Sequence, residues 1–356
     1  MKDKITVLIV DDSAFMRKSL SLMLESDSGI SVIATAKNGQ EGVELANKLR
    51  PDVITLDIEM PIMDGLTALK KIMAECPTSV IMVSSLTTEG AQATLKALEL
   101  GAVDFIPKEM SFVSVNITKI KEDLIAKVKE IARTKLLKAR LDRIKSISVK
   151  PEVRPRVTSY LSDIPKIGYR AIALGISTGG PFTLQKVLPL LSEKINIPIF
   201  VVQHMPPKFT KSLADRLNSL CKVQVKEAED GENVKGGIIY IAPGGFHMKL
   251  GKNGLNSFIK ITPEPSDTLH RPSVDVMMSS VIDVYGKYTL GVIMTGMGKD
   301  GYEAVKKLKS LSGYAIAQDE ESCVVYGMPK AIVDAGLADV VLPAEKIPEI
   351  INKVVV

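Results

Sequence analysis

Short apolar runs alternate with helix-period stretches along this chain, and the alternation is played twice with one interruption. In the first series the candidate strands are Ile5-Val10, Ser31-Ala36, Val53-Leu56, Val80-Ser84 and Ala102-Pro107. Helical patterns lie between them near 14–25, 39–49, 65–75 and 90–99. The second series has strands at Tyr169-Ile176, Ile197-Gln203, Gly237-Ala242, Thr289-Thr295 and Gly313-Gln318, with a further candidate at Asn256-Ile261. Its helices fall at 180–191, 208–220, 273–285, 300–310 and 328–335. Such repeats require parallel strands with helices on both faces. The fold class is therefore α/β in two domains: an N-terminal five-stranded parallel sheet and a C-terminal doubly wound, mostly parallel sheet.

The interruption sets the boundaries. Ile117 to Ile144 reads as one amphipathic helix, with Ile120, Leu124, Ile125, Val128, Ile131, Leu136 and Leu137 at three- and four-residue steps; Pro151, Pro155 and Pro165 follow it. We divide the chain into a first domain at 1–125, a helical and proline linker at 126–165, and a second domain at 166–356. The net charge of +5 is concentrated in this joint: residues 117–165 carry 13 Lys/Arg against 6 Asp/Glu. A nucleic-acid reader would carry that excess in a folded domain, and with no tryptophan base-stacking surfaces are not expected either. The basic run reads as a solvated helix face. No apolar run reaches the ~18–20 residues of a membrane span, and Met1-Lys2-Asp3-Lys4 leads straight into a strand, unlike a secretory leader. Three scattered cysteines, Cys76, Cys221 and Cys323, fit a reducing compartment. The expectation is a cytoplasmic protein without nucleic acid or membrane insertion.

Functional groups of parallel sheets gather at the carboxyl ends of strands. In the first series those ends carry Asp11 and Asp12, then Asp57, Ser84 and Lys108. Converging carboxylates repel unless a cation joins them, and oxygen ligands suit Mg²⁺. A carboxylate beside Mg²⁺ can accept a phosphoryl group, with Lys108 and the Ser84 hydroxyl pairing its oxygens. Residues 5–108 resemble a response-regulator receiver domain, a flavodoxin-like sheet. The resemblance rests on Val10-Asp11-Asp12-Ser13, Asp57-Ile58-Glu59-Met60-Pro61-x-Met63-Asp64-Gly65, Ser84-Ser85 and Ile106-Pro107-Lys108. It implies Asp57 as phosphoacceptor, Asp11, Asp12, Asp57 and the Glu59 main-chain carbonyl as Mg²⁺ ligands, Ser84 as switch hydroxyl, Phe105 as rotating aromatic and Lys108 as phosphate partner.

In the second series, Gly175-Ile176-Ser177-Thr178-Gly179-Gly180 follows a strand and opens a helix. Gly175-x-Ser177-x-Gly179 matches the nucleophile-elbow pattern, and a glycine-rich turn with a serine N-cap reads as well. A serine nucleophile needs a base and an acid that orients it. His204 follows the second strand of the series, and Asp300 follows the strand at 289–295, so both belong on the edge that carries Ser177. His247 is a second candidate base, and His270 sits in an irregular stretch. The order Ser, His, Asp differs from the α/β-hydrolase order Ser, Asp/Glu, His. A competing motif, Gly296-x-Gly298-x-x-Gly301 with acids at 319–321, is a literal dinucleotide fingerprint; Asp300 inside it would oppose a pyrophosphate.

Residues 170–340 resemble the catalytic domain of bacterial chemotaxis protein-glutamate methylesterases, the CheB family. The matching stretches are Gly175 to Pro181, Gln203-His204-Met205-Pro206, Ala242-Pro243-Gly244-Gly245-x-His247-Met248, His270-Arg271-Pro272-Ser273-Val274-Asp275 and Met294 to Gly301. Ile176 and Lys299 depart from the commoner Ala and Asn. The resemblance implies Ser177 as nucleophile, His204 as base, Asp300 as orienting acid, and Met297 and Thr178 at the oxyanion. It implies hydrolysis of glutamate methyl esters on chemoreceptor cytoplasmic helices, and deamidation of receptor glutamines. It further implies a chemotaxis histidine kinase as phosphodonor, Mg²⁺ for receiver phosphorylation and no cofactor for ester hydrolysis. The other classes the sequence leaves open are a dinucleotide-dependent oxidoreductase and a non-enzymatic response regulator with a partner-binding second domain.

Overall fold

The computed structural model describes residues 4–108, 120–133, 165, 167–254 and 256–356. The chain forms two compact units, Met1–Ile144 and Lys145–Val356.

The first unit alternates strand and helix: β1 (Ile5–Val10), α1 (Ala14–Glu25), β2 (Ile30–Ala36), α2 (Gly39–Leu49), β3 (Val53–Asp57), α3 (Gly65–Glu75), β4 (Ser79–Ser85), α4 (Thr88–Glu99) and β5 (Asp104–Lys108). The strands pair in parallel in the order β2-β1-β3-β4-β5. Helices on both faces explain why Val7 to Val10 and Val80 to Val83 are apolar at every position and buried. Each helix starts where a side chain takes an orphan amide: Ser13 accepts from Met16, Asn38 from Glu41, Asp64 from Thr67 and Thr87 from Gly90. A further helix, α5, occupies 120–133. It buries Leu124, Val128, Ile131 and Ala132, and its Lys127 pairs with Asp104 at 3.1 Å. Residues 117–119 and 134–144 of the expected long helix lie outside the described residues.

The second unit runs β6 (Ala171–Ile176), α6 (Gly180–Val187), β7 (Ile199–Gln203), α7 (Phe209–Leu220), β8 (Gln224–Glu227), β9 (Ile238–Ile241), β10 (His247–Asn253), β11 (Asn256–Thr262), α8 (Val274–Tyr285), β12 (Thr289–Ile293), α9 (Tyr302–Ser310), β13 (Tyr314–Gln318), α10 (Met328–Asp334), β14 (Val340–Leu342) and α11 (Ile347–Val355). Seven strands pair in the order β14-β13-β12-β6-β7-β9-β8, every pair parallel. The strand expected at Asn256-Ile261 forms, but outside this sheet: β10 and β11 make a separate antiparallel hairpin. Met248, Leu250 and Ile259 of that hairpin share one core with Met277, Met278 and Val281 of α8.

The first strand of each series ends up inside its sheet. The chain leaves β6 toward β7 on one side and later returns as β12 on the other. The crevice above such a reversal is where doubly wound sheets place their chemistry.

Candidate active site

The carboxyl ends of three neighbouring strands, β12, β6 and β7, are followed by Asp300, Ser177 and His204 respectively. The three side chains meet. His204 Nδ1 lies 3.0 Å from Ser177 Oγ, and His204 Nε2 lies 2.8 Å from Asp300 Oδ2. With the carboxylate accepting the Nε2 proton, the Nδ1 lone pair faces the serine hydroxyl, the arrangement a base requires. A second imidazole, His270, stacks on His204 with ring centroids 4.2 Å apart.

The turn carrying Ser177 is held from several sides. Ser177 N–H donates to Thr295 O at 2.9 Å, and its carbonyl accepts from Gly180 N–H at 2.7 Å and Gln203 Nε2 at 3.0 Å. The N-cap of α6 is Gly179, with φ +76°, so the serine N-cap reading is replaced. A Cβ at Gly179 would come 2.4 Å from Val324 Cβ, so neither conformation nor space admits a side chain. The positive φ of this turn therefore falls two residues after the nucleophile candidate. Thr295, fully buried, ties the edge together: its hydroxyl donates to Thr178 O at 2.9 Å and accepts from Val325 N–H at 3.0 Å. Gly296 packs directly on the serine, since a Cβ there would lie 2.8 Å from Ser177 Cβ. Met297 follows Gly296 in the chain, and Thr178, next to the serine, is buried.

Asp300 is held by four donors. Oδ1 accepts from Ser273 Oγ and Asp275 N–H, each at 2.9 Å; Oδ2 accepts from Val274 N–H at 2.7 Å and from His204. Three of the four belong to the N-terminal turn of α8, where amides have no helical partner. Burial alone would push this carboxyl up. The His204 hydrogen bond and charge and the two amides outweigh it and hold Asp300 well below the usual carboxylate range. Asp275 is the opposite case: burial and the adjacent Asp300 push it up to about 6, against the pull of the Ala304 amide. Its Oδ1 accepts from Ala304 N–H at 2.8 Å, inside the first turn of α9.

That contact also decides the dinucleotide fingerprint. The helix its glycines open is α9, and the Asp275 carboxylate already takes the Ala304 amide in the first turn where a pyrophosphate would sit. His247, the second candidate base, is fully buried and bonded to Pro265, Thr268 and Ser273 rather than to Ser177. Ser273 and Asp275 lie inside the His270-Arg271-Pro272-Ser273-Val274-Asp275 stretch, whose sequence alone assigns them no role. The available signal was a Ser N-cap followed by an acid in the first turn of a helix.

The acidic edge of the first unit comes together as well. Carboxylate oxygens of Asp11, Asp12 and Asp57 lie within 4.8 Å of one another. Lys108 Nζ reaches both Asp57 Oδ2, at 2.7 Å, and Asp11 Oδ2, at 3.0 Å. Burial, with Asp11 adding to it, pushes Asp57 up to about 6 despite Lys108. Lys108 is itself raised: its burial works the other way, but the two acids prevail. Three oxygen donors with an excess of negative charge fit a small hard cation such as Mg²⁺. Ser84 is buried with its hydroxyl donating to Gly90 O at 3.2 Å, at the start of α4. Phe105 is buried, with Lys127 Nζ 5.9 Å from its ring centroid and bonded to its carbonyl at 3.0 Å. Glu59 stands in the loop after β3 with its side chain exposed.

A family model described as CheB methylesterase matches residues 172–351, and one described as response regulator receiver domain matches residues 7–117. A protein of Lawsonia intracellularis named protein-glutamate methylesterase/protein-glutamine glutaminase is 51% identical over 353 residues, covering 96% of this chain and 97% of the relative. Its counterpart numbered 1 in Oleidesulfovibrio alaskensis is 49% identical over 372 residues, covering 99% of each chain. The crystal structure of the Thermotoga maritima CheB methylesterase catalytic domain is 46% identical with a TM-score of 0.50, covering 53% of this chain and 98% of that one.

Proposed function

We propose a phosphorylation-regulated protein-glutamate methylesterase and protein-glutamine glutaminase, on the premise that the chain belongs to the CheB methylesterase family and carries a receiver domain ahead of the catalytic one. The observation that carries the reading is the continuous run from Ser177 through His204 to Asp300. In this proposal Ser177 Oγ attacks the ester carbonyl while His204 Nδ1 takes its proton. The tetrahedral oxyanion is received by the backbone N–H groups of Met297 and Thr178. His204 returns the proton to the departing methoxide, and methanol leaves. Water, deprotonated by the same nitrogen, then attacks the acyl-serine and releases the glutamate carboxylate. With a glutamine side chain the leaving group is ammonia. Asp300 stays ionised throughout, stabilising the imidazolium that forms at each step.

The substrates in this reading are methylated cytoplasmic helices of chemoreceptors, and a chemotaxis histidine kinase supplies the phosphoryl group in the cytoplasm. Among the described residues no helix is long and apolar enough to cross a membrane. Asp57 is the phosphoacceptor. Asp11, Asp12, Asp57 and the Glu59 carbonyl would hold Mg²⁺, which neutralises charge on the transferring phosphoryl group. Lys108, already paired with Asp57, would then pair a phosphoryl oxygen, and the Ser84 hydroxyl would leave the Gly90 carbonyl for another. That exchange is how the receiver would report its charge state. Methanol release from methylated receptor, with and without a small phosphodonor and Mg²⁺, tests both halves. Ser177→Ala should lower the rate by about three powers of ten or more; near wild-type release by that variant would end the proposal.

A further inference from the structure

His247 has no place in the reaction above, yet it is fully buried and every hydrogen-bonding position of its ring is used. It opens the hairpin strand β10, outside the seven-stranded sheet whose strand ends carry Ser177, His204 and Asp300. Its Nδ1 accepts from Ser273 N–H at 3.2 Å. Its Nε2 lies 3.1 Å from Pro265 O and 3.1 Å from Thr268 Oγ1. A backbone amide can only donate, so Nδ1 must carry a lone pair; Nε2 therefore holds the ring's proton and gives it to the Pro265 carbonyl. Burial pulls His247 below the ordinary histidine value, which agrees with a neutral ring, and Arg271, Asp300 and Lys249 are the charged groups that act on it.

Ser273 is the N-cap of α8 and hands its hydroxyl to Asp300 Oδ1 at 2.9 Å, while the next two amides close on the same carboxylate. The position of Ser273 thus sets where the cradle of the triad acid sits, and the Ser273 amide is fixed by one acceptor, the Nδ1 lone pair. We propose that His247 is a positioning residue for Asp300, acting through the Ser273 amide and the first turn of α8. An apolar residue would fill the same space but leave a buried amide without an acceptor at the one point where α8 is aimed. The proposal rests on Asp300 being the orienting acid.

Two amide side chains separate this role from simple core filling. Asn at 247 places an acceptor oxygen at the Nδ1 position; Gln reaches to the Nε2 position and leaves the Ser273 amide unmet. In the full-length chain, His247→Asn should keep kcat for methanol release within about threefold of wild type. His247→Gln should lose roughly ten- to hundredfold in kcat with KM unchanged, since an unmet buried donor misplaces Asp300 rather than the substrate. The acidic limb of the kcat profile for methanol release should move in the Gln variant and stay in the Asn variant. Equal kcat in the two variants, whether both high or both low, overturns the proposal. Ser177→Ala is measured alongside: its retention of activity would strike the triad itself, whereas its inactivity together with equal Asn and Gln variants would strike His247 alone.

Discussion

Two acids, Asp57 and Asp300, stand at the carboxyl edge of a parallel sheet in this chain, Asp57 as the last residue of β3 and Asp300 in the loop that follows β12. They are treated in opposite ways. Asp300 is surrounded by donors, four of them, and is driven toward permanent ionisation. Asp57 accepts one amide, from Ile58 at 2.7 Å, shares Lys108 with Asp11, and is pushed up to about 6. The difference follows from what lies opposite each strand end. Beside β12 there is the start of a helix, with its unused amides; beside β3 there are two more carboxylates. An acid that only has to orient a histidine benefits from being saturated. An acid that has to receive a group, or a cation, must keep an oxygen in need of a partner.

The comparison breaks most visibly at Asp300. Asp300→Asn would put an amide where the His204 proton is accepted and should lower kcat for methanol release by roughly a thousandfold or more; a loss under tenfold would mean that the carboxylate is not the orienting acid. Asp57→Asn should leave the unphosphorylated rate as it is and abolish the response to phosphodonor and Mg²⁺. A fragment beginning at Ile167 should exceed the unphosphorylated full chain by about the same factor as phosphorylation does, on the order of tenfold for a two-state population shift. A fragment no faster than the full chain would show that the receiver activates rather than restrains.

The smallest effects are thermal and have opposite signs. Asp57 is raised from its usual 3.8 to about 6. Its ionisation therefore costs the folded state stability progressively from about pH 4 to pH 6 and fully above that, and nothing at lower pH. Asp57→Asn should raise the melting midpoint by a few degrees at pH 8 and leave it unchanged near pH 4; Mg²⁺ should raise the wild-type midpoint at pH 8 and not that of the variant. Asp300 is lowered, so it contributes stability above its unfolded value that is lost as pH falls through the folded one. Asp300→Asn should lower the midpoint at pH 7, with the deficit shrinking below about pH 4. The same sign at both positions would remove the contrast drawn above.

The contrast was only half legible in the sequence. Both acids could be placed, because apolar strands such as Val53–Asp57 and Thr289–Ile293 and capped helices mark their own ends. The α1, α2 and α3 spans came out of the periodicity without error for the same reason. Their surroundings could not be placed. Ser273 and Asp275 serve Asp300 only because α8 packs its N-terminus against the end of β12, a contact across 25 or more residues that no local pattern encodes. The hairpin was legible in one strand alone, since β10 opens with a histidine, carries two lysines and ends on two exposed residues. The helix α11 was missed although Ile347, Ile350 and Ile351 repeat at helical steps and are buried. Phe105 and Lys108 were named from the receiver motif, and the apolar face of the following helix was legible in its periodicity, whereas the Lys127 that bonds the Phe105 carbonyl and Asp104 was not.

The contact between Asp275 and Ala304 has a consequence for how this catalytic unit fails. The start of α8 grips Asp300, which directly precedes α9; the start of α9 grips Asp275, which belongs to α8. Each helix is latched by an acid from the other, so neither latch can open while the other holds. Warming such a pair should not loosen the run from Ser177 through His204 to Asp300 by degrees. The two helices should part together, and the enzyme should pass from full turnover to none across one narrow transition, with no softened, half-active form between.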